Sequence, residues 1–498
     1  MDCVLVFVAA LTFYGATLAP TIIWGDSVWY AVKIVSMAPI SFGTAGDHPL
    51  FLLLGRVFTA FPGEPARNLN VEAACFGALT VMLVYVCARQ LGTSRLAAGI
   101  GAAALCVSHA FWTYSVMAEV YTANAFFVVA TLCLVIEWKR RKQWRYILAA
   151  LAVFALGLTN HLVLAALVPA IGVFVVATHP RLFLTRGFMV ALTGGIFALV
   201  ALAIAAPPSV SAAIDKLWVG PPGIRDYFNP NLQLGSMARE AGFYALYLGY
   251  QFPSMTLVLG VLGIRTIVRD NRGVSLLLLL AIAVNAGIFI HHTGWKSQGT
   301  TKFVFYISDY AVFAILGALG AEEVLRRLAR RQERSSSRRV GFAMLALAAV
   351  APPVFYAIIP KVAHRYQFDL VHATTIPYRD NQEFFLNPNK HGYDGARRFG
   401  EEAMRAAKPS AVIFADYTPA AVLSYLQTVE GVRPDVLLRF AKKFENRVRV
   451  EWVFIDGQRR PTYIASSTRD YYDFTGLTGG YDLAPAGPII EVRPRGMP

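Results

Sequence analysis

RYILAALAVFALGLTNHLVLAALVPAIGVFVVAT runs from Arg145 to Thr178 with Thr159-Asn160-His161 as its one polar break. A bilayer asks for about 20 predominantly apolar residues per spanning helix. The stretch therefore reads as two membrane helices, 145–159 and 162–178, folded as a tight hairpin at Asn160-His161. Immediately before it stands Lys139-Arg140-Arg141-Lys142. Such a basic tract beside an apolar run marks the cytoplasmic side under the positive-inside rule.

The same alternation fills the first 358 residues. Further candidate spans are 2–20, 70–88, 95–110, 119–137, 187–206, 241–264, 273–290, 303–320 and 340–358, about eleven in all by the length rule. Composition agrees: 56% of the 498 residues are hydrophobic and 15% charged, against roughly 25% charged in soluble proteins. Mean hydropathy is +0.48.

The net charge of +15 does not point to nucleic acid. Its lysines and arginines sit in short tracts between spans: Arg89 to Arg95, Lys139 to Arg145, Arg181 to Arg186, Arg265 to Arg272 and Arg326 to Arg339. With eleven spans all these tracts fall on one side together with the N-terminus, which is cytoplasmic on this reading. The opposite side receives 21–69, the 111–118 turn, the Asn160-His161 turn, 207–240, 291–302 and the tail. The apolar stretch 49–62 would reverse every later loop if it crossed the membrane. It is therefore expected as an interfacial amphipathic helix on the outer face. The first run has no basic n-region, so it reads as a span rather than a signal peptide.

The chain divides into a transmembrane part, 1–360, with outer loops 21–69, 207–240 and 291–302, and a soluble extracytoplasmic tail, 361–498. Strand-like runs at Ala411–Ala415, Val436–Arg439 and Ile489–Val492, with a helix-like Pro419–Val429 between the first two, predict a small α/β domain. The fold class expected is a polytopic α-helical membrane protein carrying a C-terminal α/β domain, in a bacterial inner membrane. The five cysteines, Cys3, Cys75, Cys87, Cys106 and Cys133, all lie in or beside apolar runs and read as buried small hydrophobes.

Several polar residues interrupt this pattern on the outer side. Asp26, in Trp24-Gly25-Asp26-Ser27, is either a general base for an acceptor hydroxyl or the N-cap of a helix that follows. Asp47-His48-Pro49 offers a second carboxylate and an imidazole, or a cap before a proline at the first helical turn. Glu119 is favoured by a helix dipole and is also a candidate site residue as an ionisable group at membrane depth. Asn160 and His161 either cap a turn or face a polar cavity. Arg225, Lys296 and Lys302 could balance a phosphate leaving group, or snorkel at the membrane edge. His291 and His292 lack an acidic cluster, so no metal site is predicted, and no cofactor is predicted. Walker A, Rossmann and HExxH motifs are absent, which leaves ATP-driven transport and zinc proteolysis without support.

Taken together, these residues resemble a membrane family long catalogued as a domain of unknown function and linked to protein O-mannosyltransferase-like enzymes of the GT-C class. Trp24 to Ser27 resembles its first-loop motif. His48-Pro49-Leu50-Phe51 with Leu54-Gly55-Arg56 resembles its outer helix, and Arg67-Asn68-Leu69-Asn70 leads into the second span as in those proteins. Phe111-Trp112 with Ala118-Glu119-Val120-Tyr121-Thr122 resembles the second outer loop, and Gly157 to His161 its Gly-Asn-His turn. Tyr425-Leu426-Gln427 and Glu430 to Asp435 resemble a motif of longer members. The resemblance implies an inverting glycosyltransferase that moves a sugar from a polyprenyl-phosphate donor to a hydroxyl of a protein, lipid or glycan. It implies Asp26 as base and raises Glu119 and His161 as site residues; Asp47, His48, Arg56, Tyr121 and Asn160 are the further candidates for the donor or acceptor site. Two departures stand out. Tyr30 occupies the position where the family often has a glutamate, and Asp47-His48-Pro49 replaces a longer Pro-Gly-Tyr-Pro stretch, so Asp47 is a candidate for a transferred role. The other reading of the residues is a multi-span transporter or lipid flippase, or a scaffold whose tail binds a partner.

Overall fold

The computed structural model describes residues 1–40, 47–179, 193, 234–291, 302–331, 334–371, 373, 375–440, 447–466 and 471–495. Five helices in it are long and apolar enough to cross a membrane: Pro65–Gln90, Tyr121–Arg141, Arg272–His291, Phe303–Arg330 and Ser336–Arg365. Two bent pairs, Arg95–Cys106 with His109–Ser115 and Gly235–Gln251 with Met255–Asp270, bring the total among the described residues to as many as seven. Shorter apolar helices at Asp2–Ala16, Trp144–Asn160 and Leu162–Thr178 match three further expected segments. The remaining one, 187–206, lies outside the described residues except for Thr193.

Four expectations change. Residues 241–264 are not one straight span: the chain breaks between Gln251 and Met255 and turns by 115°. Pro253 is the cause, since its ring disfavours helix in the residue before it. Ser254 then starts a new helix by accepting a hydrogen bond from the Thr256 N–H at 3.3 Å. The helix before this break already begins at Leu234, so the end of the expected outer loop 207–240 is helical. The 95–110 span likewise bends by 68°, and the expected 111–118 turn is largely the helix His109–Ser115. The Asn160-His161 hairpin is not tight, because a 3-10 stretch, Leu162–Leu167, intervenes. Beyond it, Val168–Thr178 packs on Arg272–His291.

The core of the bundle is built by close approach. Gly263 faces the Leu316 carbonyl and Gly320 faces the Leu259 carbonyl, so a Cβ at either place would collide with backbone. Small residues at such crossings give membrane helices their van der Waals contact. Leu148, Leu151, Val258, Val261, Leu347 and Val350 point outward and exposed. In a bilayer, where lipid is as apolar as leucine, these are lipid-facing positions.

The basic tracts meet at one end. Arg95 pairs with Asp2 at 2.7 Å, the Ser94 N–H donates to Glu322 at 2.7 Å, and Arg326 donates to the Gly92 carbonyl at 3.1 Å. Lys139 donates to Asn271 at 2.7 Å, and Arg269 reaches Glu323 at 3.4 Å.

The tail opposite them carries a five-stranded mixed sheet in the order Leu437–Phe440, Val412–Ala415, Thr462–Ile464, Ile489–Pro494, Tyr481–Ala486. The first two strands pair in parallel, Val412 opposite Leu437. Helix Tyr417–Thr428 joins them, the β-α-β unit expected from the sequence. The sheet domain does not stand apart. One continuous core holds Ile22, Trp24, Val28 and Phe51 from the segment 21–69 together with Phe399, Ala420, Tyr425 and Ile489 from the tail.

Candidate active site at the junction of bundle and tail

Gly25 has φ +99°, a left-handed conformation that glycine adopts without steric cost. It caps the helix Asp26–Val35, so Asp26 is the first helical residue and not the cap. Its carboxylate lies at the positive end of the helix dipole, where an anion is stabilised. Trp24, just before the turn, is buried and donates its indole N–H to the Tyr393 hydroxyl at 2.6 Å.

The Tyr417 hydroxyl donates to Asp26 Oδ1 at 2.8 Å. Tyr417 is the first residue of the helix that follows the central parallel strand Val412–Ala415. In open α/β sheets, the carboxyl ends of parallel strands are where functional groups collect. Asp416 before it is buried and accepts a hydrogen bond from Ser466 Oγ at 2.9 Å. That bond pins the turn that aims Tyr417.

The remaining candidates close in from the bundle side. Glu119 is buried, 6% exposed, in the loop before helix Tyr121–Arg141. Asn70 holds that loop by accepting from the Ala118 N–H at 2.8 Å and donating to the Ala19 carbonyl at 3.0 Å. Asn160 donates to the Val120 carbonyl at 3.2 Å, and its own carbonyl lies 2.8 Å from His48 Nδ1. Since a carbonyl only accepts, Nδ1 of His48 carries a proton. The His48 and His161 rings stand 4.9 Å apart, His161 and Tyr121 5.9 Å, and Tyr30 and His48 5.9 Å.

Tyr30 lies within electrostatic reach of both carboxylates. Burial pushes its hydroxyl well above the ordinary tyrosine range, with Glu119 and Asp26 the next causes and then Tyr121 and Tyr417. Tyr417 is raised for the same reasons, burial first and Asp26 next, then Glu119. A phenol in such surroundings stays protonated and acts as a donor to carboxylates. Asp26, Glu119, Tyr30, Tyr121 and Tyr417 thus form one electrostatically connected group, with His48, Asn160 and His161 against its flank.

Asp47 adjoins this group through His48, whereas Arg56 stands apart from it. Asp47 directly precedes His48, which caps helix Pro49–Thr59 through its backbone and not its side chain. Arg56 donates to the Ala38 carbonyl at 2.6 Å, beyond the far end of the helix that Asp26 begins, so the structure does not bring it to Asp26. Arg225 and Lys296 lie outside the described residues, as does the side chain of Lys302, whose backbone opens the 3-10 helix Lys302–Tyr306. Among the described residues no three His, Cys, Asp or Glu side chains come together to hold a metal ion. Sequence reasoning missed Tyr417 altogether and took Tyr30 only as a departure from a motif.

Comparison with known proteins fits this geometry. Residues 43–184 match the family model described as Protein O-mannosyl-transferase TMEM260 N-terminal domain. The full length superposes on ArnT from Cupriavidus metallidurans bound to undecaprenyl phosphate with a TM-score of 0.56 at 14% identity, covering 98% of this chain and 97% of that one. The chain is a GT-C-fold membrane protein, O-mannosyltransferase-like over residues 43–184. The apo state of ArnT matches the chain over the same shares, with a TM-score of 0.55 at 13% identity. The mouse protein O-mannosyl-transferase TMEM260 is 27% identical over 160 residues, a match spanning 31% of this chain and 22% of the mouse protein.

Proposed function

We propose that the chain is a glycosyltransferase that moves a sugar from a polyprenyl-phosphate donor to a hydroxyl acceptor on the extracytoplasmic face, with inversion at the anomeric carbon. The observation that carries this reading is the Asp26 carboxylate at a helix N-terminus, gathered with Glu119 and the Tyr30 and Tyr417 hydroxyls where the tail closes over the bundle. The family match and the lipid phosphate named for ArnT support the donor class.

Asp26 takes the proton of the acceptor hydroxyl as that oxygen bonds to the anomeric carbon. The bond to the lipid phosphate breaks on the opposite face, and its electron pair leaves with the phosphate. Positive charge from Lys302, Lys296 or Arg225 would stabilise the departing phosphate. Glu119, Asp47, His48, Tyr121, Asn160 and His161 would hold the donor or acceptor sugar.

The meeting of the basic tracts and the N-terminus at one end, away from Asp26, supports a cytoplasmic N-terminus and an outer tail.

The test is purified protein in lipid nanodiscs with a panel of polyprenyl-phosphate sugars, scoring released lipid phosphate. Asp26→Asn should cut release by about 10²–10⁴-fold, the span of general-base contributions, with the protein still folded and inserted. Undiminished release by Asp26→Asn overturns the assignment of the base. Movement of lipid-linked sugar across the bilayer without any release marks a flippase instead.

A further inference from the structure

We propose that Tyr417, contributed by the C-terminal domain, is a positioning residue for the Asp26 carboxylate, so that the tail is a working part of the reaction centre. The inference rests on the reading of Asp26 as base.

The geometry is built from both sides. The hydroxyl of Tyr417 donates to Asp26 Oδ1 at 2.8 Å. A carboxylate held by one oxygen has its plane fixed, and with it the direction in which the other oxygen presents its lone pairs. Base catalysis depends on that direction: misplacing a reacting group by about 1 Å can cost on the order of a hundredfold. The tyrosine is in turn held in place. Its ring packs against Trp29 at 5.7 Å, and Trp29 against Phe440 at 5.5 Å. Its backbone is pinned through the Asp416–Ser466 bond at 2.9 Å.

The tail as a whole is tied to the first outer loop by contacts unrelated to Tyr417. Arg397 donates to Thr21 Oγ1 at 2.7 Å and binds Glu64 at 2.5 Å and Glu430 at 2.7 Å. The Lys390 N–H donates to the Thr17 carbonyl at 3.1 Å, and Trp24 donates to Tyr393. Losing the Tyr417 hydroxyl leaves these docking contacts in place while removing the hydrogen bond to the carboxylate, which makes the role separable by experiment.

The experiment uses the full chain in nanodiscs with whichever polyprenyl-phosphate sugar the panel identifies. Tyr417→Phe keeps the ring and deletes the donor. The expected result is a kcat lower by roughly five- to tenfold, with donor KM within about twofold and the thermal unfolding midpoint unchanged. Phe440→Leu, which disturbs the same aromatic seam but no hydrogen bond, should retain kcat. Wild-type kcat in Tyr417→Phe overturns the inference, and so does an equal loss of kcat in Phe440→Leu, which would assign the effect to packing. An inactive Asp26→Asn beside a fully active Tyr417→Phe removes the positioning role alone. An active Asp26→Asn removes the base and this inference with it.

Discussion

Lys390 shows how much one residue of the junction has to satisfy. It is 2% exposed, and its amine donates to the carbonyls of Phe384, at 2.7 Å, and Asn387. Burial pushes it down to about 7. A neutral amine has two N–H donors, and the two carbonyls take both. Between that value and the free-lysine value near 10.4, the unfolded chain binds a proton that the folded chain does not, so stability rises with pH across the window. The unfolding midpoint of detergent-solubilised protein should therefore increase from pH 7 to pH 9, and Lys390→Met should flatten the rise. An undiminished rise in the variant would assign it to other groups. Asp416→Ala, which removes the buried acceptor for Ser466 Oγ, should destabilise the tail by about 1–3 kcal/mol in chemical unfolding. Asp26, Glu119 and His161 were legible because each is a polar break in an apolar surrounding. Tyr417 was not, because a tyrosine opening a helix is locally unremarkable and its partner lies 391 positions away.

Among the elements, the apolar runs announced where helices lie but not how they turn. Hydropathy averages over residues and is blind to direction, so the 241–264 run concealed a 115° bend whose only mark is Pro253. The break at Val107-Ser108 carries no proline and was less visible still. The β-α-β unit of the tail was legible because both strands are short apolar runs flanked by turns, with a helix-period segment between. The close crossing of Met255–Asp270 with Ile307–Arg331 depends on Gly263 and Gly320, each facing a carbonyl of the other helix. Gly320→Val should force these helices apart. The expected outcome is a loss of monodisperse protein in size-exclusion chromatography and an unfolding cost of at least about 1–3 kcal/mol, the range for overpacking. Gly99, with open space around it, should accept alanine with little effect.

For the whole molecule, the decisive joint is Arg397, with its contacts to Thr21, Glu64 and Glu430. Arg397→Ala leaves two carboxylates facing each other without their shared cation. It should loosen the tail, giving faster proteolysis between residues 366 and 380 and reduced transfer, with the bundle still inserted. Unchanged cleavage would show that the other contacts of the joint, the Lys390–Thr17 and Trp24–Tyr393 bonds and the shared apolar core, secure it without Arg397. This closure was invisible in the sequence, where 361–498 read as an appended domain. The core shared by Ile22, Trp24 and Phe51 with Phe399, Tyr425 and Ile489 also has a consequence for biogenesis. The segment around Trp24 and Phe51 emerges from the ribosome early, yet its apolar face stays uncovered until nearly the whole polypeptide has been made and the tail has packed on it. A chain stopped after the last membrane-length helix, at Arg365, can occupy the bilayer but leaves that face unburied. The proposed activity should therefore appear abruptly, with the final stretch of synthesis, and premature termination should yield a substrate for membrane quality control in place of a partly active protein.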